Sequence, residues 1–206
     1  MKTVKKMLFA FVAFVTFFSC INVAFCAHKD VRSVKTGDVI YFDNKNVNWD
    51  NVKIYFFNSE SNAYMVPWDN SVTMTKVSEN STIYSYTVPE SLNAEAHNCD
   101  CIIFHNGNAG DSNQSIDLGF FETGYAFMAD NNSTDKKTGY WYVYDKSELQ
   151  ELYNSVKDYE STYYTEDSWN NFKEKLDSAN NLLNNEVRVG DDPAGGYECA
   201  YETGIS

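Results

Sequence analysis

The 206-residue sequence predicts a mainly β protein, a β-sandwich followed by a C-terminal αα-hairpin. Three observations lead there. From Asp38 to Tyr144, short apolar or aromatic runs are broken by Asn, Asp, Gly and Ser. The breaks recur about every 8–15 residues, the rhythm of strands and turns in a sandwich. After Tyr144 the apolar residues recur instead at steps of three and four, the period of a helix. The composition, 43% hydrophobic with 16% aromatic and 22% charged residues, is that of folded material rather than a disordered tail.

Taken in chain order, the first element is a leader. Lys2, Lys5 and Lys6 precede an apolar run over residues 7–18, and Ala24 and Cys26 stand at the small positions of a cut before Ala27. Residues 1–26 thus read as a cleaved secretory signal peptide, with an apolar run too short to span a bilayer. Strands are expected at 39–42, 52–58, 72–77, 82–88, 101–105, 114–118, 125–128 and 140–144, with turn-rich loops at 44–51, 106–113 and 130–139. Ser147 and Gln150 have the spacing of a capping box opening a helix through Leu149, Leu152, Tyr153 and Val156. Thr165 caps a second, with Trp169, Phe172, Leu176, Ala179 and Leu183 on one stripe. Residues 187–206 turn to Gly, Asp and Pro and read as a linker or truncated tail. The domain boundaries that follow are a β module at 37–145 and a helical module at 146–186.

Charge and cysteines narrow the partners. The net charge is −13, and loss of the leader lysines makes the chain more acidic. Such a surface repels nucleic acid and anionic membranes, so no nucleic-acid partner is expected, and no membrane partner after signal cleavage. Of five cysteines, Cys20 and Cys26 fall in the leader. Cys99 and Cys101 would share a strand face, where they cannot easily bond to each other, and read as small apolar packing residues. No metal or other cofactor is expected. No nucleophile elbow, zinc-binding helix pair or phosphate loop is present, and no catalytic residue is assigned. The chain is also shorter than the roughly 250 residues of a (β/α)8 barrel. His105, at the end of an expected strand, reads as an edge or loop histidine.

The aromatic residues are the distinctive feature. On a strand over 52–58, Val52, Ile54 and Phe56 would face the core, and Lys53, Tyr55 and Phe57 would face outward. Trp68 lies in the turn-rich stretch Val66-Pro67-Trp68-Asp69-Asn70. Exposed flat rings suit sugars, because an aromatic face covers the C–H face of a glucose ring and amides bond its hydroxyl rim. Asn106, Asn108 and Gln114 supply such amides on or just after the loop. Two rings at an angle fit a curved α-1,4-glucan better than a flat ribbon. The plainer use of Tyr55 and Phe57 would be to cover the helical hairpin.

Further pieces of sequence sharpen this. Ile40-Tyr41-Phe42-Asp43-Asn44 with Trp49, Val52 and Tyr55 resembles the opening of the starch-binding modules of carbohydrate-binding family 26. Trp68 with Met74, Tyr84-Ser85-Tyr86-Thr87-Val88-Pro89, Ile103-Phe104-His105-Asn106-Gly107 and Asn113-Gln114-Ser115-Ile116-Asp117-Leu118 resemble its later segments in the same order. The resemblance implies an immunoglobulin-like sandwich that binds starch or malto-oligosaccharides. It implies Tyr55 and Trp68 as the stacking surface, Gln114 bonding glucose hydroxyls, and Asn106 and Asn108 helping. This chain departs from the family at Asp69-Asn70, at Thr73 where a Lys is usual, at Lys53 where an aromatic is usual, and at His105 in place of Asn. Tyr164-Thr165-Glu166-Asp167-Ser168-Trp169 and the stripe after it resemble the FIVAR helical module, without its third helix.

The expectation is a secreted, non-catalytic protein, free or associated with the cell surface. Through Tyr55, Phe57, Trp68, Asn106, Asn108 and Gln114 it would bind starch and malto-oligosaccharides and bring an amylase or other glycoside hydrolase to its substrate. Two alternatives stand beside it: the amino-terminal fragment of a secreted α-amylase, and a protein-interaction or adhesion module.

Overall fold

The computed structural model describes residues 31–120, 122–131, 135–186 and 188. The leader at 1–26, Cys199 and nearly all of the 187–206 tail lie outside the described residues. The chain divides into two compact units, one holding the described residues up to Tyr144 together with Arg188, the other running from Asp145 to Glu186.

The first unit is two sheets around one core. The strands are β1 (Val39–Asp43), β2 (Lys53–Phe57), β3 (Val72–Thr73), β4 (Thr75–Lys76), β5 (Ile83–Thr87), β6 (Cys101–His105), β7 (Leu118–Gly119), β8 (Tyr125–Ala129) and β9 (Gly139–Val143). One sheet has the order β4-β5-β1-β8-β9, the other β3-β2-β6-β7. Their inner faces meet through aromatic rings: Phe42 of β1 lies 4.8 Å from Phe104 of β6, which also contacts Phe127 and Trp141. Alternation produces this core, since Ile40 and Phe42 on β1 and Ile54 and Phe56 on β2 are all buried. Gly139 is required where β9 meets β8, because a Cβ there would lie 2.1 Å from the Met128 carbonyl oxygen.

The structure corrects the sequence reading at several points within the two units. The strand expected at 72–77 is two short ones: β3 pairs with β2 and β4 with β5, so the chain changes sheets at Met74, whose side chain enters the core. The strand expected at 114–118 shrinks to β7, and Gln114 keeps only an isolated bridge to His105. Cys101 is disulfide-bonded rather than a simple packing residue. Cys99 is free, and burial pushes its thiol up to about 11. The capping box does not form, because the Asp145 carboxylate takes both the backbone N–H and the hydroxyl of Ser147.

The sequence reading also missed a short helix, α1 (Ala94–His97), in the β unit. The second unit holds two longer helices, α2 (Ser147–Val156) and α3 (Glu166–Asn184). Leu149 and Val156 pack with Phe172, Leu176 and Ala179. Thr165 caps α3 by accepting from the Ser168 N–H, as its sequence predicts. The Lys146 ammonium donates to the carbonyls of Leu182 and Asn185, which places the start of α2 beside the end of α3. No helix among the described residues is long and apolar enough to cross a membrane.

Candidate functional site

The site begins with the alternation on β2. Ile54 and Phe56 are fully buried, while Lys53, Tyr55 and Phe57 on the other face are half-buried. Phe57 stacks on Tyr55 with ring centroids 6.0 Å apart. Trp68 opens a single 3-10 turn, Trp68–Asn70, which follows Pro67 and is closed by the Ser71 N–H donating to the Trp68 carbonyl. This turn brings the indole beside the strand. Its centroid is 5.0 Å from that of Tyr55, with the two ring planes at 64°.

One face of the indole is held from behind. His105 pairs with Lys53 across β2 and β6, which sets it on the outer side of the sheet with Tyr55. It would be open to water there, but Trp68 covers it: the rings are 4.3 Å apart and nearly parallel, at 19°. His105 is therefore 1% exposed, which corrects its reading as an edge or loop histidine. The sequence could not show this, because the covering residue lies far away in the chain. Burial first, and the nearby Lys53 charge second, push the imidazole down to about 4. At neutral pH it is uncharged, and a neutral ring stacks under indole without a desolvated charge. Its Nδ1 accepts from the Gly107 N–H, and its Nε2 is buried without a partner. Trp68 itself stays 38% exposed, so the indole is fixed in orientation and open on part of its surface.

The loop after β6 forms the second wall. The Asn106 amide accepts from the Asn108 N–H and donates to Asn113, and the Asn113 amide donates to the Ala109 carbonyl. Gly107 sits at φ 88°, where any other residue would be strained. The 3-10 turn Asp111–Asn113 then returns the chain to Gln114, whose amide donates to the Asp111 carboxylate at 3.0 Å. Between this loop and the indole lies a cleft of about 350 Å³, lined by Trp68, Asn108, Ala109, Gly110 and Gln114.

The structure thus brings together three residues singled out in the sequence, Trp68, Asn108 and Gln114, in one cleft, with Tyr55 against the indole. Phe57 lies one step further along the strand, behind Tyr55, and does not line the cleft. Asn106 shapes the loop from within and does not line it either. Sequence reasoning missed His105 as the support of Trp68, Asp111 as the anchor of Gln114, and Tyr64, which is 47% exposed and 6.4 Å from Tyr55. Strand register could have placed His105 beside Tyr55 on the outer face, but not under Trp68. Among the described residues no three His, Cys, Asp or Glu side chains gather as metal ligands. The site combines the partly open indole of Trp68, the Tyr55 ring set at an angle to it, and the amides of Asn108 and Gln114 lining the cleft beside them.

Residues 40–120 match the model of the family described as starch-binding module 26. The matched stretch runs from β1 past β7 and contains Tyr55, Trp68, His105 and the whole cleft-lining loop. No curated protein matches the chain.

Proposed function

We propose that the β unit binds α-1,4-glucan, as starch or malto-oligosaccharide, across Tyr55 and Trp68. The observation that carries this is the pair of rings, 5.0 Å apart at 64°, beside a cleft lined by Asn108 and Gln114. A flat polymer would touch one ring and miss the other, whereas a coiled glucose chain presents successive C–H faces at an angle to both. Gln114 is held by Asp111 and Trp68 by His105, so little side-chain freedom is lost when sugar binds. The match of residues 40–120 to a starch-binding family supports the same ligand.

The role is non-catalytic: the module holds insoluble glucan so that an amylase or other glycoside hydrolase works at high local substrate concentration. Secretion belongs to the same proposal, supported by the leader pattern at 1–26 and by the disulfide at Cys101, which suits an oxidising compartment. An immunoglobulin-like form for the sandwich, and a spacer role of FIVAR type for the helical unit, complete the reading. An open surface cleft of this kind supplies about 4–8 kcal/mol, or roughly millimolar to micromolar dissociation constants. The test is retention on a starch column. Trp68→Ala should lose most of it, because central aromatic residues dominate such contacts. Wild-type retention of the variant contradicts the proposal.

A further inference from the structure

The aromatic surface does not end at Tyr55. Tyr64 lies 6.4 Å from Tyr55 with the ring planes at 36°. Among the described residues Tyr64 makes no ring contact with Trp68, so the two rings flank Tyr55 separately. At 47% exposure Tyr64 is more open than Trp68. A large ring standing so far in water, next to another half-open ring, gains little from folding alone.

The position of Tyr64 is also built, not incidental. An isolated bridge pairs it with Phe57, which continues the edge of β2 beyond the cleft. The turn before it is tied down at every step. The Asn58 carboxamide oxygen accepts from the N–H groups of Glu60 and Ser61, and the Asn58 amide donates to the Asn98 carbonyl. Ser59 donates through its N–H and its hydroxyl to the Asp100 carboxylate. Asn62 takes the left-handed conformation, φ 55°, that lets the turn close. A ring carried by so fixed a turn is presented in one place, and that lowers the ordering cost of using it for binding.

We propose that Tyr64 is a third stacking position, extending the glucan surface from the Trp68 cleft past Tyr55 and making the protein favour long malto-oligosaccharides over short ones. This inference rests on the α-glucan reading above. A short oligosaccharide fills the Trp68 and Tyr55 positions and leaves Tyr64 unused, whereas a longer one continues over it. The phenol face would cover another glucose C–H face, and the ring rather than the hydroxyl supplies the contact.

Calorimetric titration of the full chain with maltotriose and with maltoheptaose tests this. Tyr64→Ala should weaken maltoheptaose about three- to tenfold, the range of one aromatic stacking contact, and leave maltotriose within twofold of wild type. Tyr64→Phe should keep the wild-type values for both sugars. Equal affinities of wild type and Tyr64→Ala for maltoheptaose overturn the inference and leave the α-glucan reading standing. Equal losses for both sugars also overturn it, since Tyr64 would then act on the central site. A Tyr64→Phe variant as weak as Tyr64→Ala removes stacking as the cause. A wild-type protein that binds neither sugar overturns the α-glucan reading itself, and the inference with it.

Discussion

The two faces of β2 carry the same kind of residue to opposite ends. On the inner face, Ile54 and Phe56 are wholly buried. On the outer face, Tyr55 and Phe57 are half-buried, and the rings that join Tyr55, Trp68 and Tyr64, are 38% and 47% exposed. Hydrophobicity does not separate these sets; position on the pleat does. The inner side chains stabilise the fold because water has left them. The outer rings leave part of that gain unrealised in the folded chain, and the proposed glucan would realise it. The helical unit shows the ordinary use of aromatics, with Trp169 5.4 Å from Phe172 and both packed into the cluster between α2 and α3.

The largest effect that would sharpen this contrast is on stability. Phe56→Ala should cost about 3–5 kcal/mol, the range for emptying a buried aromatic position. Tyr55→Ala, one residue away, should cost about 1 kcal/mol or less and yet remove most malto-oligosaccharide binding. Urea denaturation and a maltoheptaose titration of both variants separate the two effects. A Tyr55→Ala variant as unstable as Phe56→Ala would merge the faces into one core.

The next effect comes from His105, where the outer face has been buried by Trp68. Its pKa is lowered from 6.5 to about 4 by burial, so the unfolded chain binds a proton that the folded protein refuses. The stabilising contribution is fully present above pH 6.5 and is lost as pH falls towards 4, below which it changes no further. The loss amounts to at most about 3 kcal/mol. Thermal melts across this window should show a falling midpoint, and His105→Asn should flatten that part of the profile. An unchanged slope in His105→Asn would mean that other groups set it.

A smaller effect belongs to the amide rim. Gln114→Ala should weaken maltoheptaose by about 0.5–1.5 kcal/mol, the net value of an ordinary hydrogen bond, without shifting the urea midpoint. Titration and denaturation of the one variant decide it, and an unaltered affinity would leave the rings as the sole contact.

Much of the fold was legible because strands alternate and turns are marked. The strand at 101–105 matches β6 residue for residue, and the expected inward set of β2 is the buried one. The switch of sheets at Met74 was not legible, because Val72 to Val77 reads as one apolar-polar run whichever sheet receives it. Nor was the loss of the capping box, where Asp145, a charged acceptor, displaces the hydroxyl that the spacing suggested. At the site, Trp68, Asn108 and Gln114 could be singled out as residue types that suit sugar, but their meeting in one cleft depends on the turn at 68–70 and the folded loop at 106–113. His105 and Tyr64 escaped for a related reason. Each gains its meaning from a ring far off in the sequence or across a turn, and local pattern does not report such pairings.

The most direct trial is sedimentation with granular starch and, in parallel, with cellulose, for the wild-type chain and Trp68→Ala. The wild type should go down with starch and stay in solution over cellulose, and the variant should stay in solution over both. Co-sedimentation of the variant with starch at wild-type yield, or of the wild type with cellulose as readily as with starch, would contradict a curved glucan lying across the angled rings.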